Sequence, residues 1–125
     1  MPHRTRLVIS CFYNSKNPSE LPVGFKWAKD LVQKFPCKYK ITLLLHGENL
    51  IYGLKGHDPP LISEFFRYII KKGVKIVICE LCLKQQGYNN CQLLPFVKPI
   101  AFSVDYIAQV QIKIPRSVVV YDAQL

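Results

Sequence analysis

Five short runs of apolar, mostly β-branched residues alternate with segments of helical periodicity, and no other feature constrains the fold of this chain as strongly. The runs fall at residues 7–12, 41–46, 74–79, 96–102 and 118–121. Ile41 to Leu45 is apolar almost throughout, which marks a strand buried on both faces, as in a parallel sheet. Between the first two runs, Phe25, Ala28, Leu31, Val32 and Phe35 recur at helical spacing. A helix is predicted there from a Ser19 cap to about Phe35, with Pro22 in its first turn, Gly24 weakening it and Pro36 ending it. A short helix is expected over residues 50–54 and a break over residues 56–60. Residues 61–72 carry two neighbouring apolar stripes, Leu61, Phe65, Ile69 and Ile62, Phe66, Ile70, with Gly73 as the stop. Residues 81–86 read as a short helix closed by Gly87. Pro99 weakens the fourth run as a strand by removing a ladder donor. Ser103 can cap a last helix reaching about Lys113, whose apolar positions are Val104, Ile107, Ala108 and Val110.

Alternation of this kind calls for a mostly parallel sheet joined by right-handed crossovers. The expected fold is α/β: a three-layer flavodoxin-like sandwich, with a five-stranded, mostly parallel sheet and helices on both faces. A length of 125 residues fits a single domain, residues 1–125, with half its residues hydrophobic and a core that needs no disulfides. No apolar run is long enough to cross a bilayer, and Leu7-Val-Ile is too short for a signal-peptide core. A cytoplasmic protein with no membrane partner is therefore expected. Five cysteines, an odd number, argue against a disulfide framework and for thiols that are buried, catalytic or metal-bound. The net charge of +9 attracts anions in general. Its densest group, Arg67, Lys71, Lys72 and Lys75, reads as a solvated helix face. No aromatic pattern accompanies it, so nucleic acid is an unlikely partner.

In open parallel sheets ligands gather beyond the C-terminal strand ends, near the point where strand order reverses. Three loops arrive there, carrying Cys11, Tyr13 and Asn14; His46, Gly47 and Glu48; and Cys79, Glu80 and Cys82. The Cys79-Glu-Leu-Cys82 segment lies between a strand and a short helix. A thiol there feels the positive end of the helix dipole and unpaired N–H groups, which favour thiolate. Thiolate can attack a disulfide or accept a sulfane sulfur, with Cys82 either resolving Cys79 or acting as nucleophile itself. The alternative is two buried cysteines with only a packing role. His46 would relay a proton or hold an anion, or else serve as a hydrogen-bonded rim histidine. Glu48 and Glu80 would raise a nearby thiol's pKa, and Lys84 could offset that. Cys79, Cys82, Cys91 and His46 make a weak zinc set, since one Cys-x-x-Cys lacks the second tight pair of a structural site. No metal and no cofactor are predicted: the dinucleotide, P-loop, Gly-x-Ser-x-Gly and FMN-loop signatures are missing.

Two segments resemble the DsrE/DsrF-like superfamily, which includes TusD-type sulfur-relay subunits and YchN-like proteins. Ile41-Thr-Leu-Leu-Leu-His-Gly-Glu-Asn-Leu resembles its second strand ending in His-Gly. Residues 73–87, from Gly73 through Cys79 and Cys82 to Gly87, resemble its glycine-led strand, cysteine loop and short helix. Residues 96–100 and 103–111 resemble its fourth strand and last helix. The resemblance implies a sulfur-relay protein that carries sulfane sulfur as a cysteine persulfide. It implies catalytic Cys79 or Cys82 with His46 at the site, sulfur donor and acceptor proteins as partners, and a homo-oligomer, trimer or hexamer. Cys79 stands where TusD-type members carry their cysteine, and Cys82 where many YchN-like members do. Gln85 and Gln86 replace the arginine that members often carry before the closing glycine. Two other readings stay open: a non-catalytic oligomeric module whose basic surface binds an acidic partner, and a dithiol redox switch.

Overall fold

All five apolar runs become strands of one sheet in the computed structural model, which describes residues 4–113 and 116–122. The elements in chain order are β1 (Thr5–Cys11), α1 (Val23–Lys34), β2 (Tyr39–Leu45), a 3-10 helix (Gly47–Gly53) and α2 (Pro60–Lys71). They continue with β3 (Lys75–Cys79), α3 (Glu80–Gln85), a 3-10 turn (Asn90–Gln92), β4 (Val97–Ile100), α4 (Ser103–Lys113) and β5 (Ser117–Tyr121). The sheet order is β4-β3-β2-β1-β5, and every neighbouring pair is parallel. β4 lies at an edge of the sheet, the place where a strand can hold a proline.

Strand alternation sorts the core into two layers. Leu7, Ile9 and Cys11 of β1, Ile41, Leu43 and Leu45 of β2, and Ile76 and Ile78 of β3 face α1, α2 and α3. Val8, Leu44 and Val77 face the other way, against Val110 and Ile107 of α4. Three connections that step the same way across the sheet put their helices on one face. The single return from β4 to β5 puts α4 on the other, as right-handed crossovers require.

Several local expectations shift by a few residues for identifiable reasons. Ser19 does not cap α1: its N–H and hydroxyl both bond Asn17 Oδ1. Leu21 precedes a proline and is held out of helical geometry, so the helix starts after Pro22, whose carbonyl accepts from Phe25 and Lys26. Phe35 falls outside the helix for the same reason, with Pro36 next, and is left exposed under the Lys38 ammonium. Ser103 is the first residue of α4 rather than its cap, since Tyr106 N–H donates to the Phe102 carbonyl. Gly24, unfavourable for a helix, is needed for contact: a Cβ there would stand 2.6 Å from Cys11 Sγ. Gly73 and Gly87, at φ +85° and +87°, close α2 and α3 with paired bonds, Val74 to Ile69 and Gly73 to Ile70 in one case, Tyr88 to Leu83 and Gly87 to Lys84 in the other.

Candidate functional site

The chain leaves β1, β2 and β3 toward the first face and leaves β4 toward the second. The point where connections part therefore lies between the C-terminal ends of β3 and β4, which is where open parallel sheets form their ligand crevice. Cys79 pairs with Ile100 across that gap. Leu81 N–H donates to the Ala101 carbonyl at 3.1 Å, tying the start of α3 to the turn after β4. This bond and the strand register bring Ser103 onto Cys79.

Cys79 is the N-cap residue of α3 and Cys82 its third helical residue. The Cys82 N–H donates to Cys79 Sγ at 3.4 Å, the position a serine or aspartate oxygen takes in an ordinary cap. Cys79 has 0% of its surface exposed, whereas Cys82 is half-buried against the first core layer. Burial by itself would push the Cys79 thiol up. The Cys82 thiol, the Cys82 N–H, and the N–H and hydroxyl of Ser103 all bond its sulfur and outweigh burial, so it ionises below the ordinary thiol value. Cys82 moves the opposite way: burial, its bond to the Cys79 sulfur and the charge there push it up to about 11. The pair shares its first proton loss, and Cys82 keeps the remaining proton.

The carboxylates expected to hinder the thiols do not act on them. Glu80 turns outward, pairs with Lys84 at 3.1 Å and accepts from Asn90 at 3.2 Å, bonds that hold its own pKa below the usual range. Glu48 accepts from Asn14 N–H, and Gln86, in the place of the expected arginine, reaches the Gly47 carbonyl instead.

His46 follows Leu45, the partner of Ile78, so it leaves the sheet one strand away from Cys79 at the same level. Its Nε2 shares a 2.5 Å hydrogen bond with Ser10 Oγ on β1, and its ring packs edge-on to Phe12. Burial lowers its pKa, and the Asp122 charge offsets part of that. Asp122 itself is buried and accepts the Phe12 and Tyr13 N–H groups at 2.7 and 2.8 Å. Asn49 bonds the Tyr13 carbonyl, and Tyr52 bonds Asn14. The polar residues of the first two loops are thus consumed in locking those loops to each other and to β5. Cys11 belongs to the core: it is sealed, donates to the Ile9 carbonyl, and burial, with Asp122 nearby, raises its pKa well above the ordinary value.

Sequence reasoning singled out the Cys79–Cys82 pair and the N–H groups beside it, and missed the part of Ser103. Ser103 drew attention only as a helix cap, and Ser10 and Asp122 not at all. Only pairing of Cys79 with Ile100 places Ser103 on the thiol, and only β5 beside β1 places Asp122 on the Phe12 loop. Among the described residues, no three His, Cys, Asp or Glu side chains gather as a metal ion would need, so Cys79, Cys82, Cys91 and His46 do not form one set.

No protein-family model matches this sequence, and no curated protein is similar to it. Solved structures are. The protein of unknown function MTH1491 from Methanobacterium thermoautotrophicum superposes with a TM-score of 0.72 at 15% identity, over 91% of this chain and 97% of that one. The ychN protein from E. coli gives 0.68 at 17% identity, over 95% and 99%. At such identities the likeness shows that this chain shares their overall fold and nothing finer. No helix among the described residues is long and apolar enough to cross a membrane.

Proposed function

We propose that this protein is a sulfur carrier of the DsrE-like kind, which takes a sulfane sulfur from a donor persulfide and hands it to an acceptor protein. The observation that carries the reading is a pair of cysteines on one helical turn at the β3–β4 crevice, one sealed with the Cys82 N–H on its sulfur and held below the ordinary thiol value, the other only partly buried. Cys82 is the sulfur a donor can reach. As its Sγ attacks the sulfane sulfur, its proton passes to the Cys79 thiolate and on to the departing donor sulfur while the donor's S–S bond breaks, so the donor leaves as a thiol and Cys79 is again a thiolate. Cys82 then bears the persulfide, and an acceptor thiolate removes its outer sulfur. Ser103 holds the charge on Cys79 before uptake and after transfer. His46 stands at the same rim and fixes the loop that borders the site through Ser10. Self-association into a homo-oligomer is supported by α4, which leaves Val104 and Ile112 largely in solvent, the latter 83% exposed.

The test is uptake itself. Mixed with a small persulfide such as glutathione persulfide, the protein should consume the donor. At early times the tryptic peptide following Lys75 and ending at Lys84, which holds both thiols, should gain the mass of one sulfur atom. The variant with Cys79 and Cys82 both replaced by serine should do neither. Donor consumption unchanged in that variant would assign the reaction to the exposed Cys37 or Cys91 and sink this reading.

A further inference from the structure

A relay needs one reactive cysteine, and this site has two in contact. Cys79 and Cys82 occupy the N-cap and third positions of one short helix, the two places whose side chains meet in a reciprocal cap. The Cys82 backbone N–H already donates to the Cys79 side chain, at 3.4 Å from Sγ. Cys79 has no accessible surface, so the electrophile within its reach is whatever forms on Cys82.

We propose that Cys79 resolves the persulfide formed on Cys82, releasing sulfide and closing a Cys79–Cys82 disulfide. The protein thereby reduces sulfane sulfur to sulfide when no acceptor claims it. This inference rests on the sulfur-carrier reading and adds the fate of the carried atom. The Cys79 thiolate attacks Cys82 Sγ, the new S–S bond forms between the two cysteines, and the bond from Cys82 Sγ to the outer sulfur breaks. That outer sulfur leaves as hydrosulfide. The sulfane sulfur gains two electrons, and the two cysteine sulfurs lose two. A dithiol reductant of the thioredoxin class resets the pair by thiol–disulfide exchange.

Two physical arguments favour attack at the inner sulfur. The attacking and attacked atoms sit side by side on one helical turn, so the step carries a high effective concentration. Hydrogen sulfide is also more acidic than a cysteine thiol and leaves more readily, whereas attack at the outer sulfur would expel the Cys82 thiolate, whose ionisation burial opposes. Acceptor proteins, which reach only the outer sulfur, compete with this internal step, so acceptor concentration sets the partition between transfer and release.

The experiment treats wild-type protein, Cys79→Ser and Cys79→Ala with glutathione persulfide in the absence of acceptor, and reads protein mass and released sulfide together. Wild type should release one equivalent of sulfide and end lighter by two hydrogen atoms. Both variants should load more slowly but keep the extra sulfur on Cys82, with sulfide release at least about tenfold lower. A wild type that keeps the extra sulfur and releases no sulfide overturns the inference and leaves the carrier reading standing. Donor left unconsumed by wild type overturns both. Sulfide release from the variants equal to that of wild type also overturns the inference, because Cys79 would then have no part in it.

Discussion

Replacing Cys82 with serine is expected to slow persulfide consumption at neutral pH by about 10²- to 10⁴-fold, the scale on which a positioned proton-transfer pair acts. Serine keeps the volume but not the nucleophile, and Cys79 beneath it has no accessible surface with which to meet a donor. Cys79→Ser is expected to act through pH instead. In the wild type the base that takes the Cys82 proton is the Cys79 thiolate, which forms below the ordinary thiol value of 9.0. The rate should therefore rise with pH and level off before that value. With serine at position 79 no such base exists, and Cys82 must lose its proton unaided, so the rate should still be climbing where the wild type is flat. Stopped-flow consumption of a small persulfide across pH separates the two variants. If Cys82→Ser stays active while Cys79→Ser is dead, the roles assigned to the two sulfurs are reversed.

Phe25→Ala should be the most damaging core substitution, costing about 3–5 kcal/mol of folding stability. Phe25 is 0% exposed and stacks on Phe65, with ring centroids 4.8 Å apart and planes 6° from parallel. It also meets Phe66 at 5.7 Å and Tyr52 at 6.2 Å, so its ring joins α1, α2 and the 3-10 helix in one cluster. Alanine would leave a void lined by three elements already packed against the sheet. Urea denaturation should show a lower midpoint at unchanged slope. A loss under about 1 kcal/mol would mean the cluster repacks and does not join those elements.

What could be read from the sequence depended on how local the determinant was. The strands, α2, Gly73 and Gly87 were legible, because apolar period and stop signals act within a few residues. The start of α1 was misplaced at Ser19, since a cap residue and a pre-proline restriction compete there and the proline wins. Sheet order was not readable, and the residues around the thiol depend on it. With β4 at the edge beside β3, the first residue of α4 lands on Cys79. With β5 beside β1, Asp122 lands on the Phe12 loop and faces His46 rather than the thiols. The cysteine pair was visible as a spacing. The contrast between a sealed, early-ionising Cys79 and a partly buried Cys82 that holds its proton combines the local bonds between the two thiols with burial and with Ser103, and the last two depend on packing that spacing does not show.

The ionisation of the pair tests this account most directly. Thiolate absorbance in the ultraviolet, titrated in wild type and in Cys79→Ser and taken as a difference, should show one thiolate forming below the ordinary value of 9.0 that the variant lacks, with the partner proton held to about 11. A difference curve with no such step below 9.0, or a low step that survives in Cys79→Ser, would contradict it.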